Sequence, residues 1–591
     1  MFIRLFSSKQ RTVSCLLFSS LLLSLPSLSG QEDLSHRKSD LVVDVSSLSG
    51  APLSGATVEV EMLNHAFRFG CAVEYRHIEE TQWDYDEWTA ETFSQYCNSL
   101  TYGNIMKWSY YEDRTEQQML DILRTAQSFK GFNGPDQMRV RGHGTLWGSA
   151  YQVPNDVKNS EDAQYVHDRV IEHVEAYHTT FKDQGIDNFD LYNEPTHERA
   201  EIIDKIIGTN ATLEEEAEEI ASWFKKAKEA DPNAVLYIND YNMLNNSWTS
   251  NDADIKAYKA LIDAVRDAGG DVGGIGLQAH MGNWVSKADI VRRLDLLSEP
   301  MAPTANHPEG LPGLPIEITE LDIGTDIGDS RGEEGEAELA RAVLEAAFEH
   351  PAVQGVTIWG MNDAFHWRDN GMLFDDLDED GETRVEPVLK ATGQVWVDLV
   401  KNVWWEDHSG STDSSGEYLA NTFKGTHRVK VTFNGQVQEK IIHLDDNQMV
   451  TFAFEAEPSD ASNYDDWESY VTWGAAASAR EEDPDGDGLN NLEEYLYGTD
   501  PLAMDATPSI SLVNDGAGGH ALLFALRSFM EDIDVYLESS TTLAPESWTS
   551  ELLDLDSLTS ESVENLLLYT HDLGAMPDRS FYRLKLVEVA P

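Results

Sequence analysis

Residues 189–195 read FDLYNEP: an apolar run that closes on an amide and a carboxylate, Asn193 and Glu194, and then meets Pro195. Proline lacks a backbone N–H and has a fixed φ, so it stops the element before it and leaves the two polar side chains at that element's end. A single glutamate in such a place is most often a solvated loop residue. Recurrence decides otherwise. Working outward between residues 67 and 360, eight short apolar runs take the same form: FRFGCAV, CNSLTYGN, QMRVRGH, FDLYNE, AVLYIND, VGGIGLQAH, PIEITELD and GVTIWG. Stretches of helical period lie between them, such as EEAEEIASWFKKAKEA (215–230) and ADIVRRLDLLSE (288–299). Strand–helix alternation with eight buried strands predicts an α/β fold, a (β/α)8 barrel over residues 66–402.

A barrel of this kind builds its active site at the C-terminal ends of its strands. The runs end on Asn104, His143, Asn193 and Glu194, Asn239 and Asp240, Gln278 and His280, Glu320 and Asp322, and Trp359. Solvated loops would scatter polar groups over both ends of the runs. A site at one face is the better reading.

The rest of the chain sets bounds. It has 591 residues, room for three or more domains, and carries 105 acidic against 42 basic residues, a net charge of −63. Such a surface repels nucleic acid and anionic membranes and leaves a neutral polymer as an allowed partner. Much of the acid lies on helical stretches such as LEEEAEEI (213–220), where it reads as a solvated face suited to a salty extracellular medium. Residues 1–29 have a basic start (Arg4, Lys9, Arg11), an apolar stretch from Cys15 to Leu25 and a small-residue pattern at Ser27-Leu28-Ser29. They predict a secretory signal peptide, and with it an extracellular, periplasmic or cell-surface location in a bacterium. No later segment is apolar enough to predict a membrane span. Cys71 and Cys97 either form one disulfide after export or remain two buried thiols.

Outside the barrel the pattern is β. Residues 30–65 include LVVDVSSLSGAPLSGATVEVEM (41–62), which alternates about a Gly-Ala-Pro turn, and 403–456 alternate at period two. Residues 41–62 and 411–434 resemble the opening and following strands of carboxypeptidase regulatory-like sandwiches. The barrel is then either inserted into one sandwich or flanked by two separate β pieces. Residues 457–505 read as an acidic linker and 506–591 as a C-terminal β domain. Within the linker, DPDGDGLNNLEE (483–494) sets Asp483, Asp485, Asp487, Gly488, Asn491 and Glu494 at positions 1, 3, 5, 6, 9 and 12. This is the spacing of an EF-hand-like loop, oxygen ligands around a glycine turn, and predicts a structural Ca2+.

Two carboxylates at strand ends, Glu194 and Glu320, are the raw material of glycoside hydrolysis, provided their environments keep one protonated and the other ionised. Asn193 can bond a sugar hydroxyl, and His280 and Asp322 can orient Glu320. Trp147, Trp359 and Trp367 offer indole faces on which pyranose rings pack. These residues carry a resemblance. NIMKW (104–108), RGH with a following Trp (141–147), DLYNE (190–194), LYINDYN (236–242), GIGLQAH (274–280), ITELDI (318–323) and WGMNDAFHW (359–367) resemble, in order and spacing, glycoside hydrolase family 10, the endo-β-1,4-xylanases.

The resemblance implies a retaining two-carboxylate mechanism on xylan or another hemicellulose, with no catalytic cofactor. Glu194 would be the acid/base and Glu320 the nucleophile. Asn193, His280 and Asp322 would support them. Asn104, Lys107, His143, Trp147 and Gln278 would line the non-reducing side, Trp359 and Trp367 would wall the site, and Tyr241 would lie toward the leaving group. A monomer is expected. The chain departs from the family pattern at Gly103, where a glutamate is usual, and at Gly148 and Ala150, where histidine and glutamine are usual. The expectation is a weaker grip on the second sugar from the cut, or action on decorated or short xylosides or another β-linked glycan. A sugar-binding protein without hydrolysis is the alternative from another class.

Overall fold

The computed structural model describes residues 34–588, apart from 49, 246–251, 326, 328–330, 379, 382, 455–463, 465–466, 469–470, 472, 474–477, 504–509, 515–519, 528–532, 564–565 and 575–579. The expected signal peptide lies outside the described residues. Strands β1 (Lys38–Ser47) and β2 (Thr57–His65) precede eight parallel strands: β3 (Arg68–Val73), β4 (Ser99–Tyr102), β5 (Arg139–Gly142), β6 (Ile186–Asn193), β7 (Leu236–Tyr241), β8 (Gly274–Met281), β9 (Ile316–Ile323) and β10 (Val353–Ile358). Each pairs with the next, and β10 returns to β3 through Gly355–Ile358 against Arg68–Cys71, so the sheet closes into a (β/α)8 barrel. Closure buries both faces of the strands, as in β9, all eight of whose residues are buried. That is why the runs are continuously apolar and do not alternate.

The helices show the complementary pattern. Leu213–Ala230 starts at a Thr212–Glu215 capping box and buries Ala217, Ile220, Ala221, Phe224 and Ala227 against the barrel. This is the i, i+3, i+4, i+7 stripe of a surface helix, and Glu214, Glu215 and Glu218 face solvent on its other side.

The two β segments flanking the barrel are joined. β1 pairs with β12 (Glu417–Phe423) and with β15 (Gln448–Phe454), while β2 pairs with β11 (His408–Ser411) and β13 (Gly425–Phe433), and β14 (Gln436–Leu444) extends the second sheet. Val43, Val45, Val58, Val60, Val429, Val431, Phe452 and Phe454 fill one core between the sheets. The barrel thus leaves and re-enters a single sandwich. That sandwich sits where the barrel strands begin. Arg37 donates to the carbonyls of Phe348 at 2.7 Å and Val353 at 2.7 Å, and Asn64 donates to Asp136 at 2.8 Å. The C-terminal strand ends on the far side are left open.

The reading of 457–505 as a linker requires correction. Tyr464, Trp467, Tyr495 and Leu496 are buried in one core with Leu522, Phe524, Leu526, Val535 and Leu537 of the C-terminal β domain. Two close pairs of core side chains about thirty residues apart in an acidic stretch make no sustained period, so the stretch reads as solvated although it packs. Cys71 and Cys97 are both free and buried, and burial together with the neighbouring Cys71 thiol pushes the Cys97 thiol well up. Among the described residues no helix is long and apolar enough to cross a membrane.

Candidate active site

The ends of β4 to β10 bring the expected residues to one cleft of about 350 Å³, lined by Lys107, His143, Trp147, Asn193, Glu194, Tyr241, Gln278, His280, Glu320, Trp359 and Trp367. Asp322 lies behind His280, and Asn104 opens onto an adjoining hollow that shares Lys107, Trp359 and Trp367 with the cleft.

Glu194 follows the last residue of β6 with φ of 57°, a left-handed backbone that non-glycine residues adopt rarely and mostly at functional sites. Its N–H donates to the Asn239 carbonyl at 2.7 Å, which holds that turn. Trp147 Nε1 donates to its Oε2 at 2.8 Å, and Gln278 Nε2 to its Oε1 at 3.0 Å. Burial raises the carboxyl, these two donors pull it down, and the charge of Glu320 raises it again, leaving it at about 7. Glu194 can therefore hold a proton near neutrality.

Glu320, at the end of β9, has different neighbours. Asn239 Nδ2 donates to Oε1 at 3.2 Å and His280 Nε2 lies 3.2 Å from Oε2. His280 Nδ1 is 2.6 Å from Asp322 Oδ2. Burial lowers the imidazole, but its bonds to Asp322 and Glu320 outweigh that and raise it to about 9. His280 is thus a cation between two carboxylates. Asp322 also accepts from Trp367 Nε1 at 2.9 Å and Arg368 at 3.1 Å. Burial opposes its charge, but the bonds to His280 and His366 and the charges of His280 and Arg368 hold its carboxyl well below the usual range.

Four residues that the sequence reading gave no role complete the arrangement. Asn239 ties the acidic pair together: its Nδ2 donates to Asn193 Oδ1 at 2.8 Å as well as to Glu320, and its Oδ1 accepts from Thr319 at 2.7 Å. Asn193 Oδ1 also accepts from Gln278 at 3.1 Å, which fixes the amide so that Nδ2 faces Glu194 and donates to its Oε1 at 3.3 Å. Asp190 is fully buried, accepts from Arg141, and lies 2.8 Å from His143 Nδ1, turning the other ring nitrogen toward Glu320 at 3.8 Å. Asn239 ends a run in the same way as the predicted residues, so the strand-end rule points to it. Nothing local marks Asp190, because its role depends on Arg141 from the neighbouring strand.

The other two bear on Gly103 and Ala150. A Cβ on Gly103 would stand 2.6 Å from Oε1 of Glu74, which follows the last residue of β3 and accepts from Asn104 Nδ2 at 2.6 Å. Gln152 brings its amide to 3.4 Å from Asn104 Oδ1. Glu74 and Gln152 thus set a carboxylate and an amide against Asn104, one from the neighbouring strand and one two positions beyond Ala150. Taking the run FRFGCAV one residue further, to its polar end, identifies Glu74. Gly148 is fixed by backbone, since a Cβ there would lie 2.1 Å from the Glu198 carbonyl oxygen. On the walls, Lys107 stands 4.5 Å from the Trp147 ring centre, Tyr241 stacks on His197 at 3.8 Å, and Trp367 keeps 59 % of its surface open.

In the C-terminal part, the carboxylates of Asp483, Asp485 and Asp487 converge within 4.8 Å of one another. Glu494 is fully buried nearby, and the side chain of Asn491 donates to the Ala479 carbonyl at 2.8 Å.

Residues 60–384 match the family model for glycosyl hydrolase family 10. The chain is similar to endo-1,4-beta-xylanase 1 of Arabidopsis thaliana, 25% identical over 398 residues that make up 67% of this chain and 36% of that one. It is also similar to anti-sigma-I factor RsgI6 of Acetivibrio thermocellus, 29% identical over 68% of this chain and 46% of that protein. Among solved structures, xylanase 10B from Thermotoga petrophila RKU-1 in complex with xylobiose aligns with a TM-score of 0.44 and 22% identity, over 57% of this chain and 95% of that one. The chain spans between a third and a half of the length of these two curated relatives. With the family model covering more than half of its residues, the chain belongs to glycosyl hydrolase family 10.

Proposed function

We propose that this protein is a secreted retaining endo-1,4-β-xylanase. The observation that carries the reading is the contrast between its two strand-end carboxyls. Glu194 is raised to about 7 by burial and by Glu320, while Glu320 faces an imidazole that Asp322 and Glu320 keep cationic to about 9. A protonated Glu194 donates to the leaving glycosidic oxygen as the ionised Glu320 attacks the anomeric carbon. Glu194, now ionised, then takes a proton from the water that releases the glycosyl group from Glu320. Asn193 Nδ2 is set to bond the sugar 2-hydroxyl. Asn104, Lys107, His143 and Gln278, with Glu74 and Gln152, bind the glycone, and Trp147, Trp359 and Trp367 supply its apolar walls. Tyr241 stands toward the leaving group. The basic start and apolar run of residues 1–29 support export.

The test is product stereochemistry by NMR on xylo-oligosaccharides, together with mass spectrometry of enzyme treated with a 2-fluoro-xylobioside. Retention of configuration and a glycosyl adduct on Glu320 are expected. Inversion, or an adduct elsewhere, would overturn the assignment of roles. One relative is named as an anti-sigma factor, and the second reading is a protein that binds sugar without cutting it. That reading is adopted if the wild-type protein binds xylo-oligosaccharides but releases no reducing ends.

A further inference from the structure

We propose that residues 483–494 bind one Ca2+ and that this ion fastens the C-terminal β domain. The loop turns through Gly486 (φ 77°) and Gly488 (φ 102°), which brings the carboxylates of Asp483, Asp485 and Asp487 within 4.8 Å of one another. Acidic loops on a chain this acidic are ordinarily solvated, and the cluster alone would mean little. Glu494 is what singles it out. The side chain is 0% exposed, and neither carboxylate oxygen has a hydrogen-bond partner. Oδ2 of Asp485 and Oδ2 of Asp487 are likewise buried without a partner. A buried carboxylate without donors is among the least stable placements a protein can make, and a cation supplies what is missing.

The chemistry of the donors selects the ion. All four donors are hard carboxylates, three on a glycine turn and Glu494 on the helix that follows, at position 12, where such loops place a bidentate glutamate. Ca2+ accepts six to eight oxygens in irregular geometry, whereas Mg2+ demands a tight octahedron and keeps its waters. Loop N–H groups already hold the aspartates in place. Gly486 and Gly488 donate to the two oxygens of Asp483 at 2.8 and 3.2 Å, and Leu489 donates to Asp487 at 2.8 Å.

The consequence follows from where Glu494 sits. It lies on the helix Asn491–Tyr497, whose Tyr495 and Leu496 are part of the C-terminal core, and Arg527 Nε donates to the Tyr495 carbonyl at 2.7 Å. An ion that joins Glu494 to the loop joins the loop to that core. The barrel and its cleft share no residue with this core.

The experiment is calorimetric titration of full-length, EGTA-stripped protein with CaCl2, alongside thermal scans with and without Ca2+. One site with Kd below about 1 mM is expected. The C-terminal transition should rise by about 10 °C at 100-fold excess of Ca2+ over Kd, while the barrel transition stays in place. Glu494→Gln should weaken Ca2+ binding about 100-fold and raise the Ca2+-free midpoint, because it removes a buried charge. Asp485→Asn, at a less buried position, should weaken binding about 10-fold and carries the test if Glu494→Gln does not fold. No Ca2+ binding, equal binding of Mg2+, or wild-type affinity in both variants would overturn the proposal.

Discussion

Two groups of acids in this chain are built in opposite ways. At the barrel mouth the carboxylates are buried but supplied with donors: Trp147 and Gln278 for Glu194, Asn239 and His280 for Glu320, and His280, Trp367 and Arg368 for Asp322. In the 483–494 loop, Glu494 is buried just as deeply and both its oxygens lack a donor. Protein donors on every carboxylate leave a site ready for a neutral ligand and let each proton affinity be set separately. Carboxylates short of donors make a site for a cation. Burial and charge count alone do not separate the two; the donors do.

The comparison breaks first at the nucleophile. Glu320→Gln should lower xylan hydrolysis by about 10⁴-fold or more, read as reducing-end release, while Glu494→Gln leaves the rate unchanged. If both variants lost activity equally, the two acid groups would not be separate. Glu194→Ala should cost about 10³-fold on xylan and much less on an aryl xylobioside whose leaving group needs no proton. Equal losses on both substrates would remove Glu194 from the acid role.

A smaller effect sharpens the point about donors. In the proposed mechanism Glu194 must be protonated, so kcat/KM should fall as pH rises through about 7. Trp147 Nε1 favours the ionised form, so Trp147→Phe should move that alkaline limb to higher pH. A limb that did not move would mean another group titrates there. The smallest effect expected is at Glu74. Glu74→Ala should raise KM for xylotetraose by about 5-fold with kcat nearly unchanged, the worth of about one hydrogen bond. Adding Gly103→Glu to that variant should restore KM, because the side chain that would obstruct a Cβ at 103 is then gone. Failure to restore would show that Glu74 does more than replace a displaced carboxylate.

Much of this was legible along the chain. The eight barrel strands coincide with the eight apolar runs, and Asn193, Glu194, Gln278, His280 and Glu320 reach the cleft from run ends as expected. Strand period and strand ends are local properties, written within five to ten residues. Glu74 escaped because the run FRFGCAV stops one residue short of its polar end, and Asp190 because its role passes through Arg141, 49 residues before it. The aromatic residues of 464–497 escaped for a related reason, since their partners lie in strands still to come.

Local patterns along the chain suffice for the strand count, for two strand-end carboxyls with a histidine among them, and for the calcium-type spacing at 483–494. Each is a pattern that the local backbone period turns directly into a shared face. Three features follow from the folded arrangement alone: the flanking β segments form one sandwich, Glu74 occupies the space Gly103 leaves, and Glu494 is buried without donors. Those facts depend on barrel closure and domain packing, which bring together residues tens or hundreds of positions apart, and no local period records such a meeting.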